Sequence, residues 1–227
     1  MRNTTTILTV LLLSCLVAGT ARAAGSKPAP PSPPTVTETP EEAGRAAYNL
    51  GLEKRDKAWK LEEEAEAASS EDERAKLLGK ARKQHQKSIS LFRTATEKVP
   101  SFHQAYSSLG YALRKTGDYE GSLEAYEKAL AIAPRYAEAI EYRGEAYLGL
   151  NRVDDAKQAY MDLFSLDRGL ADQLMEAMNE WLAARRADAM GVSGDDIDAF
   201  AAWVEERSEL AAQTARLTAA AERSWGD

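Results

Sequence analysis

The side chains that could do chemistry are few, and their spacing argues against a catalytic centre. The chain of 227 residues carries two histidines, His85 and His103, and one cysteine, Cys15. Neither histidine has a metal ligand at a usable helical spacing. No His-Glu-x-x-His, no Gly-x-Ser-x-Gly and no glycine-rich phosphate loop opening a helix occurs. Gly79-Lys80 lacks both the upstream glycine and the following Ser or Thr that such a loop requires. With no nucleophile beside a base and no ligand cluster, the sequence reads as non-enzymatic, with no metal and no cofactor.

The residues best suited to binding are Glu138, Glu141 and Glu145. Their spacing of three and four puts all three carboxylates on one helix face, where like charges repel by a few tenths of a kcal/mol per pair. A cationic partner would relieve that repulsion; the alternative is a solvated helix face. The chain has 29 Lys and Arg against 36 Asp and Glu, a net charge of −7, and no strongly basic stretch. That balance excludes the electrostatic footprint of a nucleic-acid binder.

The elements that position these residues are repeated. Leu109-Gly110 recurs as Arg143-Gly144, Tyr126 as Tyr160, Ala129 as Leu163 and Pro134 as Arg168, each 34 residues on. The first copy reads Tyr106, Leu109-Gly110, Leu113, Ser122, Tyr126, Ala129, Pro134; the second reads Ile140, Arg143-Gly144, Tyr147, Ala156, Tyr160, Leu163, Arg168. Within each copy, residues one or two turns apart share a face, and the glycine lets a second helix approach closely. Gly117 suits a left-handed cap between the two helices, and Pro134 stops the second one. This pattern resembles the tetratricopeptide repeat, a helix-turn-helix unit that stacks into solenoids. Ser122, Arg143 and Arg168 depart from it without replacing a small residue by a bulky one.

The resemblance implies a binding groove lined by fixed positions of each first helix. It places Gln104, Ser107, Tyr111, Arg114 and Lys115 there from the first regular unit, and Glu138, Glu141, Glu145, Leu148 and Gly149 from the second. Tyr48, Leu52 and Arg55 come from the preceding unit by the same register. The carboxylate clamp with which some members hold acidic C-terminal peptides is not matched, because Ser107, Tyr111, Glu141 and Glu145 stand at its positions. The implied partner is a protein or peptide, basic or mixed in charge, anchored on Tyr111 and Tyr48. His103, at the first position of its repeat, is expected to face solvent.

Residues 41–100 form an elongated version of the same hairpin. Thr39, Pro40 and Glu42 make a capping box with proline at the first helical position, opening a helix to about residue 68. Ser70 with Glu73 gives a second box, and Pro100 ends that helix. Ser88, Phe92, Ala95 and Pro100 keep the 34-residue register, whereas Leu50-Gly51 lies 59 residues before Leu109-Gly110. The extra 25 residues, shared between both helices, extend the hairpin roughly 18 Å beyond its neighbours. Its charges, acidic from Glu62 to Glu73 and basic from Lys76 to Lys87, fit either a solvated hairpin with cross-helix ion pairs or a projecting docking arm. Trp59 and Leu61 would anchor either one.

Residues 1–23 read as a secretory signal, with Arg2, the apolar run Ile7 to Val17, and the small-x-small site Ala21-Arg22-Ala23. Its removal takes away two arginines and makes the charge of −7 two units more negative. Two readings of Cys15 stay open: a discarded apolar residue, or the acylated cysteine of a lipobox, Leu12-Leu13-Ser14-Cys15. The latter is the only membrane attachment expected. Either way no disulfide forms, and the core alone must hold the fold. Residues 24–40 form a Pro-rich linker.

After the two regular units of 103–168, the segment 169–227 supplies C-terminal helices. Leu170, Leu174, Met178, Trp181 and Leu182 form a helical stripe that covers the last open face. The long final helix carries Ile197, Phe200, Val204, Ala211, Thr214, Leu217 and Ala221 along one side, with Trp203 beside them. It is expected to pack back along the solenoid or to pair with another chain, with Trp203 and Trp225 as interface candidates. The expected fold is therefore an all-α helical-hairpin solenoid of the tetratricopeptide type. The expected function is a non-catalytic scaffold of the bacterial cell envelope, periplasmic or secreted; a structural homo-oligomer is the alternative.

Overall fold

Thr39 opens the first helix as its spacing requires. Its hydroxyl accepts from the Glu42 N–H at 3.2 Å, and the Glu42 carboxylate accepts from the Thr39 N–H at 2.8 Å. The computed structural model describes residues 38–224, so the signal segment, Cys15, most of the linker and Trp225 lie outside the described residues. The described residues form eight α-helices: α1 Pro40–Glu66, α2 Glu71–Lys98, α3 His103–Lys115, α4 Tyr119–Ile132, α5 Ala137–Gly149, α6 Val153–Leu166, α7 Arg168–Ala187 and α8 Gly194–Ser224. None of them is long and apolar enough to cross a membrane. The first helices of successive units pack side by side, α1 on α3, α3 on α5 and α5 on α7, with each second helix behind its first.

Close glycine contacts set this packing. A Cβ on Gly110 would lie 2.6 Å from the Tyr126 ring, and one on Gly51 would lie 2.5 Å from the Phe92 ring. Each aromatic ring fills the space its glycine leaves, so the long hairpin and the first regular unit share one crossing. Gly144 differs, because its open side meets Leu174 of α7 at 2.6 Å rather than Tyr160. The turn between α3 and α4 uses Gly117 at φ 88°, and the turn between α5 and α6 uses Asn151 at φ 59°. Asparagine tolerates that left-handed conformation better than other non-glycine residues.

The α1–α2 hairpin holds together through small residues. Ala58, Ala65 and Ala81 are all at most 1% exposed, which lets the two backbones run close well beyond α3. Ser70 caps α2 by accepting from the Glu73 N–H, but the expected second box is half formed, since the Glu73 carboxylate accepts instead from the Ser69 hydroxyl. The expected cross-helix ion pairs are also missing. Among the described residues only Glu62 and His85 pair between α1 and α2, at 3.0 Å. The hairpin is fastened to the end of α3 from the last turns of α1 and the middle of α2: Lys115 pairs with Glu62 at 3.1 Å, and Arg82 donates to the Thr116 carbonyl at 2.9 Å.

The C-terminal part departs from the repeat at Arg168. Pro100 and Pro134 each sit inside a four-residue break before the next helix, but where Arg168 takes the proline's place only Asp167 separates α6 from α7. Asp167 then caps α7 by accepting from the Leu170 N–H at 3.0 Å. Helix α7 covers the last unit with Leu174, Met178, Trp181 and Leu182, and Trp181 donates to the Asn151 side chain at 3.2 Å. The stripe expected along α8 is buried only in its first part: Ile197, Phe200 and Val204 are at most 6% exposed, while Leu210 and Leu217 are 39% and 72% exposed. Trp203 packs edge-on against Tyr160 at 5.6 Å and so joins the core of its own chain. Beyond Val204 a cleft of about 990 Å³ opens between α8 and the wall formed by Tyr160, Phe164 and Met175.

Candidate partner-binding groove

Helices α1, α3, α5 and α7 present one continuous face. Two adjoining cavities lie along it, of about 180 and 340 Å³, with Trp59, Tyr111 and Tyr142 common to both. The smaller is also bordered by Tyr48, Arg55, Ser107, Tyr136 and Glu138, the larger by Arg114, Lys115, Glu141, Glu145 and α7.

Most residues expected in the groove are brought together here, though several serve the fold first. Ser107 and Tyr111 are buried, and Leu148 lies in the core. Leu52 packs into the cluster around Phe92 and Leu109, Gly149 packs under the Tyr119 ring, and neither Leu52, Gln104 nor Gly149 borders the cavities. His103 is half-buried and edge-on to Tyr136 at 4.9 Å, which corrects the expectation that it faces solvent. His85 is fully buried against Tyr111 at 5.8 Å and pairs with Glu62. Among the described residues no cluster of side chains could hold a metal ion.

The aromatic wall is cross-linked by polar contacts. The Trp59 indole N–H donates to the Tyr111 hydroxyl at 2.5 Å, and the Arg55 guanidinium stacks over the Trp59 ring at 4.1 Å. Tyr48 leans on Phe102 at 4.6 Å, and Tyr111 on Tyr142 at 5.2 Å. Burial raises the Tyr111 phenol, and burial with nearby Glu138 pushes Tyr136 up to about 12. Both therefore present neutral hydroxyls.

The three glutamates of α5 have three separate environments. Glu145 pairs with Arg114 of α3, whose guanidinium lies over the Tyr111 and Tyr142 rings at 5.3 and 5.6 Å. Burial alone would lower the Arg114 pKa, but Glu145, Tyr126 and Tyr111 more than offset it, so the guanidinium stays charged. Glu141 is 3% exposed, and its carboxyl is pushed up to about 9, first by burial and then by Glu145 beside it. Glu138 is exposed and has no ion-pair partner among the described residues. The cation that this face was expected to recruit is thus partly supplied within the chain, by Arg114.

Residues 110–151, from the glycine of α3 through α4 and α5 to the turn asparagine, match the family model described as TPR repeat. That stretch of the chain carries a tetratricopeptide repeat. Tetratricopeptide repeats are in general protein-interaction scaffolds, and the eight helices stack as their solenoid does. Two solved structures of MamA are similar at 19% identity: one matches 72% of this chain and 97% of its own with a TM-score of 0.40, the other 76% and 95% with a TM-score of 0.41.

Trp59, Tyr136 and Tyr142 border the two cavities although the repeat positions alone did not indicate them, as do Gln173, Glu176 and Glu180 from α7. Tyr142 had a readable signal, since it follows Glu141 on the helix that carries the glutamates. The α7 residues had none, because their place depends on the early start of that helix at Arg168.

Proposed function

We propose that the chain is an exported envelope scaffold that holds a basic or mixed-charge segment of a partner protein in the groove of α1, α3, α5 and α7. The observation that carries this reading is the balance of charge left over after the fold pairs its own groups. Every cation bordering the groove is engaged: Arg55 with Asp56, Arg114 with Glu145, Lys115 with Glu62. Glu138, Glu176 and Glu180 have no ion-pair partner among the described residues, so the surface offers aromatic rings and free negative charge. Aromatic anchors with a complementary rim are what a binding surface needs.

Two labelled peptide pools of opposite net charge test it, titrated onto the full chain and onto a Glu138→Lys, Glu180→Lys variant. Both positions are exposed, so the fold is preserved. Basic peptides should bind the wild type and weaken about tenfold on the variant. Equal binding of the acidic pool, or no response to the substitutions, would overturn the reading. Export itself is tested by sequencing the N-terminus of the native protein, and lipidation of Cys15 by labelling with a fatty acid.

One observation favours a second reading, self-assembly through α8. Leu210 and Leu217 are exposed on a helix whose second part leaves the cleft beside α7 open. Sedimentation of the wild type and a Leu217→Ser variant decides it. A dimer lost on substitution supports assembly, and a monomer in both excludes it.

A further inference from the structure

The larger cavity contains a side chain that the fold leaves unfinished. Glu141 is 3% exposed, and its Oε2 has no hydrogen-bond partner among the described residues. Buried polar atoms are nearly always paired, so an orphan bordering a cavity calls for an explanation. The nearest cation, Arg114 of α3, is turned to Glu145 and to the rings of Tyr111 and Tyr142, and its own Nε is also unpaired. Lys115, also on α3, turns away to Glu62. From behind, α4 brings only the neutral Tyr126 phenol, kept neutral by burial. From the far side, α7 brings Gln173, Glu176 and Glu180, which add two negative charges and no cation.

We propose that this cavity receives one alkyl cation of the partner, a lysine ammonium or an arginine guanidinium, with Glu141 as its carboxylate. The proposal rests on the groove reading above and names what the groove selects. The rings of Trp59 and Tyr142 border the same cavity and flank the apolar stem of the incoming side chain. Arg114 remains paired with Glu145, so Glu141 alone acquires a new partner. In the empty cavity burial, and then the Glu145 carboxylate beside it, keep the Glu141 carboxyl protonated, with its O–H directed to Glu145. When the cation arrives its O–H ionises and the proton passes to solvent, one proton for each cation bound. The free charges facing Glu141 are otherwise negative, from Glu176 and Glu180, and favour the cation without competing for the proton's place.

The test uses the full chain and three blocked tripeptides, Ala-Lys-Ala, Ala-Arg-Ala and Ala-norleucine-Ala. Binding is followed by NMR shifts of the Tyr142 and Glu145 amides, and proton release by calorimetry in two buffers of different ionisation enthalpy. The lysine or arginine peptide should shift both amides and release close to one proton. Its affinity should rise about tenfold per pH unit while Glu141 is protonated in the free protein. The norleucine peptide should not bind. Glu141→Gln, the same shape without the ionisable proton, should weaken binding about tenfold or more and remove the pH slope. Whichever cationic peptide binds more tightly identifies the side chain. Norleucine binding as well as lysine, no shift with either cation, or an unchanged slope in Glu141→Gln would each overturn the proposal. The two readings fail separately. A longer basic peptide that responds to Glu138→Lys but not to Glu141→Gln would remove the cation site and keep the groove. Tripeptides that bind the cavity, with no longer peptide responding to Glu138→Lys, would do the reverse.

Discussion

Two glutamates, the half-buried Glu62 and the buried Glu141, show how differently the chain treats the same side chain. Glu62 joins three helices: it lies on α1, meets His85 of α2 at 3.0 Å and Lys115 of α3 at 3.1 Å. Burial alone would raise its pKa, but His85 and Lys115 more than offset that and hold it below the ordinary range. Glu141 lies two helices away with its nearest cation already taken, and burial raises it. A carboxylate that is fully satisfied fastens elements together. One that is left unsatisfied weakens the fold slightly and keeps a place for something else. The long hairpin is therefore held to the solenoid by finished contacts, while the α5–α7 side of the groove carries the unfinished one.

The sharpest way to break that contrast is to place a charge at the unfinished site. Glu141→Lys would put an ammonium beside Arg114 in a site that is 3% exposed. A loss of about 3 kcal/mol or more is expected, the cost of an uncompensated buried charge. Chemical denaturation would show it as a lowered midpoint with an unchanged slope, and a midpoint equal to the wild type would mean that Glu141 is not buried as described. Next in size is Gly110→Leu, which attacks the crossing that presents Tyr111 and Arg114 to the groove. Its Cβ would begin 2.6 Å from the Tyr126 ring, so α3 and α4 must separate. The expected loss is about 1 to 3 kcal/mol. Thermal melting measures it, and an unmoved Tm would contradict the close contact.

The fastened side of the molecule was the more legible in sequence, for a physical reason. The Thr39 box, the Gly51–Phe92 and Gly110–Tyr126 crossings and the Gly117 turn depend on residues at fixed local spacing or fixed repeat register. Asn151 was equally readable, since it stands 34 residues after Gly117 in the same left-handed role. The early start of α7 at Arg168 was not read from the sequence, although the proline of the other units is missing there. The unfinished side was not legible. Pairing of Arg114 with Glu145 depends on the rotation between neighbouring units, which no local spacing encodes. The burial of His85 against Tyr111 requires knowing where the long hairpin touches α3. A run of glutamates on one face says nothing of which one the next helix will cover.

The smallest effects sharpen the contrast most, because they have opposite signs. Glu141 has a raised pKa, so its contribution is full below the ordinary glutamate value of about 4.3. It is lost as pH rises toward about 9, since over that window the unfolded chain has released a proton that the folded chain keeps. Glu141→Gln removes the proton from the balance. The variant should therefore gain on the wild type as pH rises from 5 to 8. Glu62 has a lowered pKa, and its contribution is present above the ordinary value and lost as pH falls through the folded one. Glu62→Gln should thus weaken the protein at neutral pH, with the deficit fading under acid. That change should be at most about 1 kcal/mol, since the pair is partly open to solvent. Denaturation midpoints of the two variants at several pH values would draw two difference curves of opposite slope. Parallel curves would mean that both carboxylates are satisfied within the chain, and Glu141 would then have no need of a partner.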